Sequence, residues 1–149
     1  NTSVDDLYAG IGKPGATHPQ LDTQSVPIIS WNDCLKGNDH LNDLSPSNWD
    51  KWLSVDFLGR RLYALITKPS MEPIFSVGTI LVVDPQMKAK DGDLIVVYYP
   101  NSQEGTLRKL TVDGPNQLLA PLNPNLSSDE LTDKIKILGV VIQSRYTYE

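Results

Sequence analysis

From residue 60 onward the sequence is a train of short apolar runs, each stopped by turn residues before it reaches helix length. The runs are RRLYALI (60–66), TILVVD (79–84), DLIVVYY (93–99), GTLRKLTV (105–112) and NQLLAP (116–121), and the last is IKILGVVIQSRYTY (135–148). They are rich in β-branched and aromatic residues, and clusters such as AKDGD and VDGPN separate them. No helical pattern of normal length intervenes, so βαβ winding is not expected. The pattern predicts a mostly β fold of antiparallel, folded-over sheets. Gly139 marks a kink or bulge in the last run.

The first part of the chain reads differently. Residues 1–25 are polar and rich in Gly, Pro and Asp, the composition of a linker. VPIISW (26–31) is the first strand-like run, and NDCLKGNDHLND reads as a polar loop. SPSNWDKWLS (45–54) reads as a short helix. Ser45 or Ser47 can cap it, Pro46 suits its first turn, and Trp49, Trp52 and Leu53 share one face. The expected organisation is therefore a linker over 1–25 and one domain over 26–149, with one or two short helices.

Charge and composition remove several classes of function. Residues 1–50 hold seven Asp against Lys13 and Lys36, a net of −5, while residues 51–149 balance eleven acidic against eleven basic residues. No basic patch for nucleic acid results. No apolar run approaches a membrane span. The single cysteine, Cys34, excludes an internal disulfide and suits a reducing cytoplasm. His18 and His40 have no partner at metal-ligand spacing, so neither a metal site nor a cofactor is expected.

One stretch raises a chemical question: TKPSMEPIFSVGTILVVDP, residues 67–85. Ser70 sits between Pro69 and Met71, and Pro69 and Pro73 disfavour helix on either side. A serine in such a loop is usually a turn serine, and it lies in or just before a strand-entry turn, facing a shallow cleft. Here it stands at the head of an ordered series of blocks: SMEP, GTILVVDP, DGDLIVVYY, GTLRKL, LLAPLNPN and ILGVVIQS.

In that order the blocks resemble the LexA-like self-cleaving repressor domain family, which includes lambda-type phage repressors and the UmuD proteins. The resemblance runs from Val26 to about Tyr146. It implies the folded antiparallel sheets of that family's C-terminal domain. It also implies a serine peptidase dyad, in which a serine attacks the protein's own peptide bond and a lysine acts as general base. The lysine has to be neutral, which means lowering its pKa from about 10.4 to roughly 7–8 by burial.

Ser70 falls on the nucleophile position. The base position, two residues before a leucine, falls on Arg108, with Leu110 as the anchor. A guanidinium cannot be deprotonated in a protein. Lys109 is the alternative base, but neighbours on a strand point to opposite faces. A one-residue slip, or a bulge near Gly105, would be needed to turn it inward. The family cuts a small residue followed by Gly after its first strand, and the corresponding pair here is Cys34-Leu35. Leucine resists the close backbone approach that glycine permits.

Base and substrate are thus both altered, which points to a regulatory, dimerising domain of a phage-type repressor that has lost self-cleavage. The resemblance implies a homodimer through the C-terminal strands. It places a helix-turn-helix module before residue 1, and assigns release to a partner protein, an antirepressor or a RecA-type activator. An active peptidase using Ser70 and Lys109 is the alternative. A signal peptidase is a more distant one, lacking here both an anchor and that family's Gly-Pro-Asp motif.

Overall fold

The computed structural model describes residues 23–36, 51–56 and 60–147. The chain divides into two compact units, Asn1–Ser25 with Ser54–Gly59, and Val26–Leu53 with Arg60–Glu149. The described residues of the first unit, 23–25 and 54–56, include the first half of strand β1 (Gln24–Pro27) and the second half of strand β2 (Trp52–Val55). Every residue singled out above as nucleophile, base or cleavage position lies in the second.

The second unit is built on seven strands: β3 (Tyr63–Ile66), β4 (Ile80–Asp84), β5 (Leu94–Tyr99), β6 (Glu104–Asp113), β7 (Asn116–Pro121), β8 (Asp129–Glu130) and β9 (Lys136–Arg145). Their order across the sheet is β3-β4-β9-β5-β6-β7-β8, and every pairing is antiparallel. The five central runs of the sequence become β3 to β7, with ends shifted by at most three residues. The β6–β7 hairpin turns on Gly114 and Pro115, and Gly114 has φ +62°, which favours glycine.

Two apolar clusters form on the strands. One holds Tyr63, Leu65, Met71, Leu81, Val83, Val96 and Leu107. The other holds Ile95, Val97, Leu110, Leu119 and Val140. Val96 pairs with Leu107, and Ile95 is its neighbour in β5, so adjacent residues of one strand feed opposite clusters.

Strand β9 is longer than either partner. Its first half, Lys136 to Val140, pairs with β5, and its second half, Val140 to Arg145, pairs with β4. The register shifts where Val96 meets Gly139 and Val97 meets Ile137, so Leu138 is bulged beside the glycine. A Cβ on Gly139 would lie 2.5 Å from Val83 Cγ1 and 3.1 Å from Asp84 O. The glycine therefore permits the close crossing of β4 and β9.

Two local expectations need correction. The described part of the expected 45–54 helix is strand: Trp52 and Leu53 belong to β2, and residues 45–50 lie outside the described ones. Trp52, expected on the apolar face of that helix, is 59% exposed on the strand. The helix appears instead in the expected polar loop, as α1 (Trp31–Leu35). Ser30 caps it by accepting from Asp33 N at 3.0 Å, and Cys34 is fully buried on its inner face.

Candidate functional site

Ser70 sits in a 3-10 turn, Pro69–Met71, between β3 and β4. Proline sets the backbone at the start of the turn, and Met71 N and Glu72 N close it on Lys68 O and Pro69 O at 3.0 and 3.1 Å. Met71 is buried in the first cluster, which turns Ser70 outward. The loop is tied at its base by two buried threonines. Thr67 N donates to Thr79 O at 2.9 Å, and both hydroxyls donate to Ser76 O, at 2.9 and 2.7 Å. The serine is therefore presented on a short, pinned 3-10 turn that Pro69 opens, and β4 begins only at Ile80.

Beside it lies a cleft of about 180 Å³, lined by Ser70, Met71, Leu107 and Arg108, with Pro121, Leu122, Asn123 and Leu126 beyond β6. Arg108 is held in β6 between Ile95 and Pro121, and Lys109 between Leu94 and Ala120. The β5–β6 register runs unbroken from Leu94↔Lys109 to Tyr99↔Glu104, with no slip or bulge at Gly105. Lys109 is exposed and does not line the cleft.

The Arg108 guanidinium lies 5.4 Å from the Tyr99 ring centroid, and Nη1 donates to Leu107 O at 2.9 Å. Its Nε is buried with no hydrogen-bond partner. Among the described residues, neither Arg108 nor Lys109 hydrogen-bonds to the Ser70 hydroxyl. A guanidinium here can donate hydrogen bonds and offer positive charge, but it cannot take a proton from serine.

Cys34 and Leu35, the pair at the cleavage position, do not line this cleft. Cys34 Sγ donates to Tyr63 Oη at 3.3 Å, and that hydroxyl donates to Leu138 O at 3.3 Å. Burial pushes the Cys34 thiol up to about 11, and burial likewise raises Tyr63. Leu35 packs over β6, where a Cβ on Gly105 would lie 2.7 Å from its Cδ2. The Cys34-Leu35 bond is thus part of a packed helix and not of an extended, reachable segment.

Sequence reasoning passed over Lys68. Its Nζ donates to Gly105 O at 2.6 Å and stands 4.4 Å from the centre of the Trp31 ring, while Trp31 Nε1 donates to Ile66 O at 2.9 Å. Burial lowers the Lys68 pKa, against the pull of Glu104 and Cys34. It clamps α1 to the sheet. No local signal exposes such a contact, because Trp31, Lys68 and Gly105 are far apart in sequence. No group of metal-ligating side chains occurs among the described residues, and no helix among them is long and apolar enough to cross a membrane.

The chain is 33% identical over 128 residues to an uncharacterized HTH-type transcriptional regulator of Coxiella burnetii, covering 83% of this chain and 59% of the relative. Repressor protein C2 of Salmonella phage P22 is 35% identical, covering 81% and 59%. The HTH-type transcriptional regulator for conjugative element R391 of Providencia rettgeri is 27% identical, covering 80% and 59%. The chain thus spans about three fifths of the length of these relatives. Residues 47–142 match the family described as Peptidase S24-like, a match that takes in the Ser70 turn, β6 and most of β9. The chain belongs to the Peptidase S24-like family.

Proposed function

We propose that this chain is the regulatory and self-associating part of a transcriptional repressor of the phage or mobile-element type, with a peptidase fold that does not cut itself. Residues 26–149 form its regulatory domain, and 1–25 is the linker. DNA reading is assigned to a helix-turn-helix module outside these 149 residues, in keeping with the relatives' names and the chain's net charge of −5. A reducing cytoplasm suits a DNA-bound regulator with one thiol. Release from DNA is assigned to a partner protein of the antirepressor class, since cleavage would not supply it.

One observation carries the non-cleaving reading: the basic side chain sharing the cleft with Ser70 is Arg108, not Lys109. Without a neutral amine the serine hydroxyl stays protonated and is a weak nucleophile. The helical packing of Cys34-Leu35 supports the same reading from the substrate side. The test is to incubate the chain in mildly alkaline buffer and weigh it by mass spectrometry over several days. An intact mass is expected. Fragments joined at Cys34-Leu35 that vanish in Ser70→Ala would overturn the reading and make Lys109 the base.

A further inference from the structure

We propose that the cleft between the Ser70 turn and β6 binds a peptide segment that ends in a carboxylate, with Arg108 as the anion anchor. The inference rests on the non-cleaving reading and names what the cleft takes in place of its own chain.

The charge of Arg108 is unmet. Among the described residues it forms no ion pair, Nε has no partner, and Nη1 is spent on the carbonyl of its own neighbour Leu107. Its guanidinium is parked against the Tyr99 ring. Arg108 already lines the cleft, and turning its fork toward a ligand gives up the Leu107 carbonyl bond, a side-chain hydrogen bond with Tyr99 and the ring contact. In exchange the planar fork can meet a carboxylate with two parallel N–H donors, and Nε gains a partner.

The size of the cleft narrows the ligand. At about 180 Å³ it is smaller than the roughly 300–1,000 Å³ of ordinary small-molecule sites, a size that suits a ligand of side-chain dimensions. Met71, Leu122 and Leu126 give it an apolar wall, and Leu126 is 58% exposed. Ser70, Thr106 and Asn123 add hydroxyl and amide donors. That combination fits one apolar side chain next to one carboxylate.

The distribution of charge sets the direction. Glu104, Thr106 and Arg108 alternate along β6 and so share one face. With a rise of about 3.4 Å per residue, Glu104 and Arg108 are roughly 14 Å apart. The anionic end is drawn to Arg108, and Glu104 repels a second anion at the far end. A polyanion such as nucleic acid is disfavoured. A peptide with a neutral or basic stem and a terminal carboxylate is favoured.

The probe is N-acetyl-leucine, titrated into the ¹⁵N-labelled full chain and followed by amide chemical shifts. Saturable shifts confined to the Ser70 turn, Thr106–Arg108 and Leu122–Asn123 are expected. N-acetyl-leucinamide, which lacks the charge, is expected to bind about tenfold more weakly or worse. Arg108→Met should abolish the acid-specific part, and Arg108→Lys should weaken it because the fork is lost. Lys109→Met, outside the cleft, should change nothing, and the dispersed spectrum of each variant reports its fold. Equal binding of acid and amide, shifts elsewhere only, or acid binding that survives Arg108→Met would each overturn the proposal. The mass assay above is independent: a chain that stays intact yet ignores the probe sinks this inference alone, whereas a chain that cuts itself sinks the reading beneath it.

Discussion

Arg108 and Lys109 are neighbours with the same charge, yet one lines the cleft with Ser70 and the other faces solvent. Strand alternation makes the difference, and it sets what repair requires. Arg108→Lys alone is expected to leave the chain uncut, because Cys34-Leu35 stays helical and presents a leucine. Leu35→Gly alone should also fail, because no neutral amine shares the cleft. The double variant is expected to cleave slowly, faster as pH rises and its new lysine loses a proton, and Ser70→Ala should silence it. Mass spectrometry against pH reads all four, and a double variant that folds but stays intact would mean the site has lost more than these two residues. Cys34 yields a second prediction at this scale. Its thiol keeps its proton to about 11 when folded, against 9.0 for the free group. Between these values the unfolded chain binds fewer protons than the native one, so stability falls as pH rises. Tyr63, also raised, adds the same sign at higher pH. Lys68, lowered and half-buried, acts the other way up to its ordinary 10.5, and its exposure keeps the effect small. The urea midpoint should therefore drop between pH 9 and 11. Cys34→Ala should start lower and lose less across that window. An equal drop in both would show that the thiol is not responsible.

Among the elements, the strands were legible because their signal is local. Each run carries its own β-branched residues and its own Gly, Pro or Asp stop, and NQLLAP became β7 with no shift at either end. Helix α1 was not legible. WNDCL has weak intrinsic preference, and what holds it is distant: Tyr63 under Cys34, Gly105 under Leu35, Lys68 across Trp31. Conversely, a helix-like spacing over 45–54 met a strand at Trp52–Val55, where pairing overrode periodicity. The candidate site divided the same way. Ser70 and Arg108, singled out by motif and register, line one cleft, but the helical state of Cys34-Leu35 was not legible, since tertiary packing imposes it. Two glycines test how strictly these elements are fitted. At Gly139 a methyl would meet Val83 Cγ1 at 2.5 Å, with Asp84 O and Pro85 Cα close behind at 3.1 and 3.2 Å. Backbone atoms and a stiff β-branched side chain cannot yield easily, so Gly139→Ala should cost about 1–3 kcal/mol. At Gly105 the nearest atom is the tip of Leu35, which can rotate aside, so Gly105→Ala should cost less, about 1 kcal/mol or below. Denaturant midpoints rank the two, and the reverse order would refute the account of the β4–β9 crossing.

At the scale of the whole molecule, self-association depends on what β9 leaves open. The strand is internal to the sheet, not an edge along its length, which narrows the expectation of pairing through the last strand. Residues 136–140 face β5, and residues 140–145 face β4. Beyond Val140 the β5 side of β9 has no described strand against it, since the β5 pairing begins there at Ile95. A second copy can add its own open half antiparallel to this one, giving a two-fold, self-complementary contact. Ile142 sits in the register shift between Val141 and Gln143 and is partly buried in the single chain, and we expect it to supply apolar area to such a contact. We therefore expect the chain to sediment as a dimer at high micromolar concentration. Ile142→Glu should shift it to monomer, because two like charges would meet near the axis. Trp52→Glu, on an exposed strand residue elsewhere, should leave the dimer intact. High salt should weaken association little if strand pairing and apolar contact drive it, since screening acts on exposed charges. In the proposed repressor, such a contact holds two DNA-reading modules for the two halves of a palindrome. A wild-type chain that sediments as a monomer, or a dimer indifferent to Ile142→Glu, would move the interface away from β9.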